Sequence, residues 1–314
     1  MSSLTYPDGR VVAPRDVQRD RGLTKPSTDG RTPSSNGTAP SALLARATLA
    51  PRTATSPSET TSDPSFSDVA PSAVATCVSV VIPTLNEADN LPYVLGRLPG
   101  GLHEVIVVDG NSTDDTVGVV RRLRPDAHVL LQAGRGKGDA LATAFAACTG
   151  DIVVTLDADG STDPAEIPRF VAALCNGADF VKGSRFAQGG GSDDITRLRR
   201  LGNRMLNRLV NNFYGTHYTD LCYGYNAFWR RCLPYMRVDC NGFEVETLIN
   251  VRIAKAGLVV HEVPSFEKSR MYGGSNLHAL RDGSRVLRTI LRERISAASW
   301  RYLIAQARRR EHVA

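Results

Sequence analysis

The sequence predicts an α/β fold, a doubly wound and mostly parallel sheet with helices on both faces. Three observations predict it. Short runs rich in valine and isoleucine alternate with segments of helical periodicity between residue 77 and about residue 185. Each run gives way to glycine, proline, asparagine or aspartate, residues that stop a strand and open a turn. Three of the run ends carry distinctive polar residues, "PTLNE", "DGNSTD" and "DADGSTD", at the sheet edge where such folds bind ligands.

Taken in order, residues 77–82 read as a buried strand, 83–86 as a turn and 87 onward as a helix. "EVIVVDG" (104–110) is a strand, and "NSTDDTVGVVRRL" is a turn leading to a helix with Asp114 and Asp115 near its positive end. "HVLLQ" (128–132) is a third strand, followed by the glycine loop "AGRGKG" and a helix closed by Gly150. "DIVVTLDAD" (151–159) reads as a strand carrying its aspartates in extended chain, with a helix from about 164 to 176 and a short strand at 179–185. Beyond it come a flexible "GGGSDD" loop and the arginine-rich helix "TRLRRLGNRMLNRLVNNFYG". The strand-like "TDLCYGYNAFWRR", a helix ending at Gly257, the strand "LVVHEVP" and the loop "SFEKSRMYGGSN" follow. Leu280, Leu287, Leu291, Ile295 and Tyr302 then align as the apolar stripe of one or two C-terminal helices.

The chain has 314 residues, a net charge of +6, and five lysines against thirty-three arginines. That arginine bias hints at a GC-rich, bacterial source. Residues 1–74 are rich in Ser, Thr and Pro and poor in aromatics, so they cannot bury enough apolar surface to offset ordering and read as a disordered tail. The domain expected at 75–275 divides into two halves, 75–185 and 186–275, with a basic amphipathic helical segment at 276–314. Six cysteines show no zinc-like spacing, which fits a reduced, cytoplasmic setting. No signal-peptide pattern and no membrane-spanning run is legible.

The glycine loop invites comparison with a dinucleotide fingerprint, but its glycines run one residue short and Asp159 would have no role. Lys137 is followed by Gly138, so a P-loop fails too. Asp157 and Asp159, two apart in extended chain, point to one side and repel unless a cation neutralises them. A hard divalent ion, Mg²⁺ or Mn²⁺, sharing the site with a diphosphate does so. Asp163 before Pro164 reads as a helix cap.

"VSVVIPTLNEADNL", "IVVDGNSTDDT", "GRGKGDAL", "VTLDADGSTDP", "VKGSRF", "DLCYGYNAF" and "EVPSFEKSRMYGGSNL" occur in this order across residues 77–280. Together they resemble the family 2 glycosyltransferases, and among them the dolichyl- and polyprenyl-phosphate sugar synthases. The resemblance implies the GT-A fold, a nucleotide diphosphate sugar donor (UDP- or GDP-linked), a divalent metal and an inverting displacement. It implies that Pro83, Asn86 and Glu87 line the nucleotide pocket, with Lys137 in the same set, and that Asp109 meets the base or ribose. Asp157 and Asp159 bring the metal to the diphosphate, Arg185 and Arg270 neutralise phosphates, and Asp220 lies near the sugar or acceptor. Three positions depart from the family pattern: Gly110, Ser161 and Asn276. They leave open a non-catalytic sugar-nucleotide-binding protein.

A polyprenyl phosphate acceptor has a second pKa of about 6 and needs positive charge rather than a base. A hydroxyl acceptor of a soluble enzyme needs a carboxylate, for which Asp220, Glu244 and Glu246 are candidates, although the two glutamates also fit a helix start. The C-terminal segment, with its arginines, Trp300 and Tyr302, reads either as a helix on an anionic membrane surface, at the inner face, or as one packed on its own domain. No stacking pattern or module points to nucleic acid.

Overall fold

The computed structural model describes residues 76–274 and 277–296. The tail at 1–74, Asn276, Trp300 and Tyr302 lie outside the described residues. Seven strands form one sheet in the order β3-β2-β1-β4-β7-β5-β8: β1 (Val78–Thr84), β2 (Glu104–Asp109), β3 (His128–Leu131), β4 (Ile152–Thr155), β5 (Phe180–Ser184), β7 (Asn226–Trp229) and β8 (Val260–Pro264). All pairings are parallel except those of β7, which runs antiparallel between β4 and β5. The expected mostly parallel α/β sheet is therefore present, with one reversed strand at its centre. A pair of two-residue strands, β6 (Gly191–Ser192) and β9 (Phe266–Glu267), stands apart.

Strand side chains alternate, so each strand feeds two cores. Val80, Ile82, Val105, Val107, Ile152 and Val154 face one side, where α1 (Leu91–Leu95), α2 (Thr116–Leu123) and α4 (Ile167–Cys175) cover them with Leu91, Val120 and Phe170. Val81, Ile106, Val108 and Val153 face the other, against α3 (Gly136–Ala147), α6 (Leu233–Met236) and α7 (Val245–Lys255). Phe170 stacks on Tyr225 at 4.4 Å, which ties the α4 face to the segment entering β7. A third cluster joins Val210 of α5 (Arg197–Tyr214), Val251 of α7, and Val286 and Ile290 of α8 (Ala279–Ile295). α5 starts on Thr196, whose side chain accepts from the Arg199 N–H, and stops at Gly215 with φ +66°.

Two strand readings shift. The strand that reads as 151–159 ends at Thr155, so Asp157 and Asp159 are not extended-chain neighbours. Thr155 pairs with Asn226, the first residue of β7, and the ladder runs out there. The chain then turns: the Ser161 N–H reaches Asp159 Oδ1 at 3.0 Å and Gly160 takes φ +74°. The second shift is in "TDLCYGYNAFWRR", of which only Asn226–Trp229 is strand. Because β7 is reversed, its leading segment Tyr223–Gly224 arrives at the carboxyl ends of β1 and β4. There it helps to build the site.

Candidate active site

The carboxyl ends of the parallel strands open into a cleft of about 840 Å³. Its inner end is lined by Pro83 and Glu87 after β1, Gly110 after β2, Gln132 after β3, and Asp157 and Asp159 after β4. Lys137 from α3, Gly224 before β7, Glu246 from α7 and Arg270 from the R-x-Y-G loop (residues 270–273) complete it. Each aspartate of the Asp157-x-Asp159 (D-x-D) pair has its own cation. Lys137 Nζ lies 2.5 Å from Asp157 Oδ1 and 2.8 Å from Glu246 Oε1. Arg270 lies 3.0 Å from Glu87 Oε1 and 3.4 Å from Asp159 Oδ2. Burial works against charge on Lys137, but Asp157 and Glu246 outweigh it and raise its pKa. Glu87 is raised, chiefly by burial, while Asn90 and Arg270 pull the other way.

The glycine loop explains how Lys137 gets there. Gly136 has φ +83°, and a Cβ on Gly136 or Gly138 would strike the backbone carbonyls of Asn241 and Cys240. The bare backbone lets the start of α3 lie against that loop, with the Gly138 N–H donating to Asn241 O at 3.1 Å. Gly224 is small for a similar reason, since a Cβ there would meet Lys137 Nζ at 2.5 Å and Asp157 Oδ2 at 2.9 Å. The loop is a close-packing device that presents a lysine, and neither a dinucleotide fingerprint nor a P-loop.

Pro83, Glu87, Lys137, Asp157, Asp159 and Arg270 thus come together as the sequence leads one to expect. Other expected residues do different work. Asn86, with φ +55°, turns to the β2 loop, where its Oδ1 accepts from the Thr113 N–H at 2.8 Å. Asp109 is 3% exposed and accepts from the Ser112 N–H at 3.1 Å. Both shape loops, because their polar atoms are spent on backbone turns, and neither lines the cleft. Arg185 is clamped by Asp220 (2.7 and 2.9 Å) and by Glu267 (3.1 Å to both oxygens), with its side chain 3% exposed. It lines the cleft, but its guanidinium already faces two carboxylates. Asp220 is fully buried, and Asn203 donates to it as well, so it is a strut rather than a group facing sugar or acceptor. Glu244 Oε1 accepts from the Gly242 N–H at 3.2 Å, a local turn at the start of α7 away from the cleft lining. Glu246 is held by Lys137 and by Asn226 Nδ2 (3.1 Å). Asp163 caps as expected, accepting from the Ala165 N–H, and also pairs with Arg97.

Two residues escaped the sequence reading. Gln132 ends β3 as the other strand-end residues end theirs, and its Nε2 donates to Gly136 O at 2.9 Å, bracing the lysine loop. Asn90 exchanges hydrogen bonds with the Tyr272 backbone (3.0 and 3.2 Å), which docks the R-x-Y-G loop over the cleft. Position at a strand end was a signal for the first; only the distant fold could reveal the second.

Two aspartates on a turn suit a hard divalent cation that takes its remaining ligands from phosphates and water. Among the described residues no cluster of three or more His, Cys, Asp or Glu could hold a metal alone. The outer end of the cleft has another character: Ile195, Leu198 and Leu206 of the α5 region, Leu277 and Leu280 at the start of α8, and arginines 199, 281 and 285.

Comparisons with known proteins agree with this geometry. The family model "Glycosyl transferase family 2" matches residues 79–234. Glycosyltransferase AglJ of Haloferax volcanii is 36% identical over 68% of this chain and 70% of its own length. An undecaprenyl-phosphate 4-deoxy-4-formamido-L-arabinose transferase of Enterobacter sp. is 31% identical over 65% of this chain, which spans 63% of that protein. Among solved structures, glucosyl-3-phosphoglycerate synthase from Mycobacterium tuberculosis, in complex with Mn²⁺, UDP and glucosyl-3-phosphoglycerate, superposes with a TM-score of 0.57. It is 27% identical, covering 69% of this chain and 80% of that one. Fold, strand-end carboxylates and relatives converge: the chain belongs to glycosyl transferase family 2 and is a glycosyltransferase of the GT-A fold.

Proposed function

We propose that the enzyme moves a sugar, with inversion and with the help of a divalent metal, from a UDP- or GDP-sugar to a polyprenyl phosphate at the cytoplasmic membrane face. One observation carries the choice of acceptor. Of the three carboxylates that the sequence offers as a base, Asp220 is buried against Arg185, Glu244 lies off the cleft lining and Glu246 is paired with Lys137, while the outer cleft offers apolar side chains beside arginines. That combination suits an isoprenoid phosphate, which arrives nucleophilic and needs charge rather than proton abstraction. The name of the undecaprenyl-phosphate transferase supports the same acceptor class.

In this reading Asp157 and Asp159 would hold Mg²⁺ or Mn²⁺, which would supply positive charge to the leaving diphosphate. Lys137 and Arg270, each shared between two carboxylates, stand where a phosphate oxygen can replace one of them. Pro83, Glu87 and Gln132 line the nucleotide side. The acceptor phosphate oxygen forms a bond to the anomeric carbon as the bond to the diphosphate breaks on the opposite face. The nucleoside diphosphate leaves with the electron pair, and no proton is transferred.

A hydroxyl acceptor has one observation in its favour. Asp282 lines the outer cleft, is 2% exposed, and its Oδ1 makes no hydrogen bond. Replacing it by Asn separates the two readings: a lipid-phosphate transferase keeps its turnover within a few-fold, whereas a hydroxyl transferase that lost its base slows about a hundred- to ten-thousand-fold.

Calorimetric titration with UDP-glucose and GDP-mannose, each with and without Mn²⁺, tests the donor side. Metal-dependent binding of one of them is expected. Binding of either that is indifferent to metal contradicts the role given to the D-x-D.

A further inference from the structure

α5 and α8 pack together through Val210, Val286 and Ile290 and anchor one another with a hydrogen bond from Tyr214 Oη to Ile290 O at 3.1 Å. Their outer faces are unlike the rest of the surface. On α5, Leu198, Leu201 and Met205 follow one another at three- and four-residue spacing and are 58%, 54% and 62% exposed, opposite the buried Asn203, Asn207 and Val210. On α8, Leu280, Leu287, Leu291 and Ile295 form one stripe, opposite Asp282, Val286 and Glu293. Half of the large exposed apolar side chains among the described residues sit on these two helices.

Charge follows the same division. α5 exposes Arg197, Arg200, Arg204 and Arg208 and contains no acidic residue. α8 exposes Arg281, Arg285, Arg288, Arg292 and Arg294, while its two acids, Asp282 and Glu293, are buried. Arg281 and Arg285 share the buried Asp282 at 3.5 and 3.7 Å, and Arg292 pairs with the exposed Asp239 at 2.9 Å, so arginines outnumber acids on both helices. An apolar stripe bordered by arginines is the pattern that binds the boundary between headgroups and acyl chains of an anionic bilayer. Nucleic acid would satisfy the arginines and leave the leucines bare. A second copy docked face to face would satisfy the leucines and set arginines against arginines.

Both stripes begin at the cleft. Leu198 and Leu280 are exposed and line its outer end at the same time. We propose that α5 and α8 together form a docking surface for an anionic lipid bilayer, which brings the outer end of the cleft to the membrane–water boundary. The inference rests on the lipid-phosphate reading for its purpose, but its evidence is the surface itself. α8 is held for the task by buried ion pairs, since Glu293 receives Arg252 at 2.7 Å and Lys255 at 2.8 Å from α7.

The test is co-sedimentation of the full chain with vesicles of phosphatidylcholine alone and of phosphatidylcholine with phosphatidylglycerol. The expected result is binding to the anionic vesicles only, weakened by raised salt. Two double variants probe the helices separately, Leu201→Glu with Met205→Glu and Leu287→Glu with Leu291→Glu. Each should lower partitioning at least about tenfold while leaving the melting temperature, and transfer to detergent-dispersed polyprenyl phosphate, unchanged. Absence of binding by the wild-type chain overturns the surface, and so does binding that survives both pairs. A dimer in solution that either pair dissociates, without vesicle binding, would reassign the face to a contact between copies. A chain that binds vesicles yet transfers no sugar to the dispersed lipid refutes the acceptor reading and leaves the surface standing.

Discussion

Lys137 sits between Asp157 and Glu246, and Arg270 between Asp159 and Glu87, so the D-x-D is neutralised by two side chains, one from α3 and one from the loop after β9. Asp159→Asn keeps the shape and removes the charge; kcat should fall at least a hundredfold with melting unchanged, read by transfer assay and calorimetry. Lys137→Met leaves the buried Glu246 and the half-buried Asp157 without their cation and should cost about 3 kcal/mol in a denaturant titration, with weaker donor binding besides. Asp220→Asn discriminates strut from base. As a strut its loss should lower stability by about 3 kcal/mol, because the buried Arg185 loses one of its two counter-charges, whereas loss of a base would reduce kcat and spare the melting curve. The D-x-D was legible in the sequence as a local pattern with a chemical reason, and Arg270 through the family resemblance. The Arg185 cluster was not, because its partners stand 35 and 82 residues away and only the folded sheet brings them together.

Elements tell a similar story one level up. Valine-rich runs broken by turn residues identified β1 to β5 and β8, since burial on both faces leaves that imprint on a parallel strand. The reversed position of β7 left none: "NAFW" reads as a strand in either direction, and its neighbours β4 and β5 are far away in sequence. α8 was recognised as an amphipathic helix, but its stripe pointed to one apolar face, whereas the packed face is the other one, with Val286 and Ile290. Its attachment is also testable by pH. Burial alone would raise the pKa of Glu293, but hydrogen bonds from Arg252 and Lys255 prevail and hold it below the ordinary value of 4.5. A lowered folded pKa means that the stability it contributes is full above that ordinary value and is lost as pH falls through the lower, folded one. Glu293→Gln should therefore destabilise the protein by about 3 kcal/mol at neutral pH, and by progressively less in acid, as followed by thermal melting across pH. Equal destabilisation at every pH would contradict the ion-pair account.

For the whole molecule, the cleft joins two chemistries along one line. Carboxylates and shared cations at the strand ends suit a metal-bound diphosphate, and the α5–α8 end suits an apolar chain with a phosphate head. No helix among the described residues is long and apolar enough to cross a membrane. The account's central claim is the transfer itself. Radiolabelled UDP-glucose and GDP-mannose, incubated with the full chain, undecaprenyl phosphate in detergent, and Mn²⁺ or a chelator, measure it directly. The account predicts label in the organic phase from one donor, dependent on the lipid and lost with the chelator. Label that stays in the aqueous phase as a glycosylated hydroxyl compound, with none in the lipid, would contradict it.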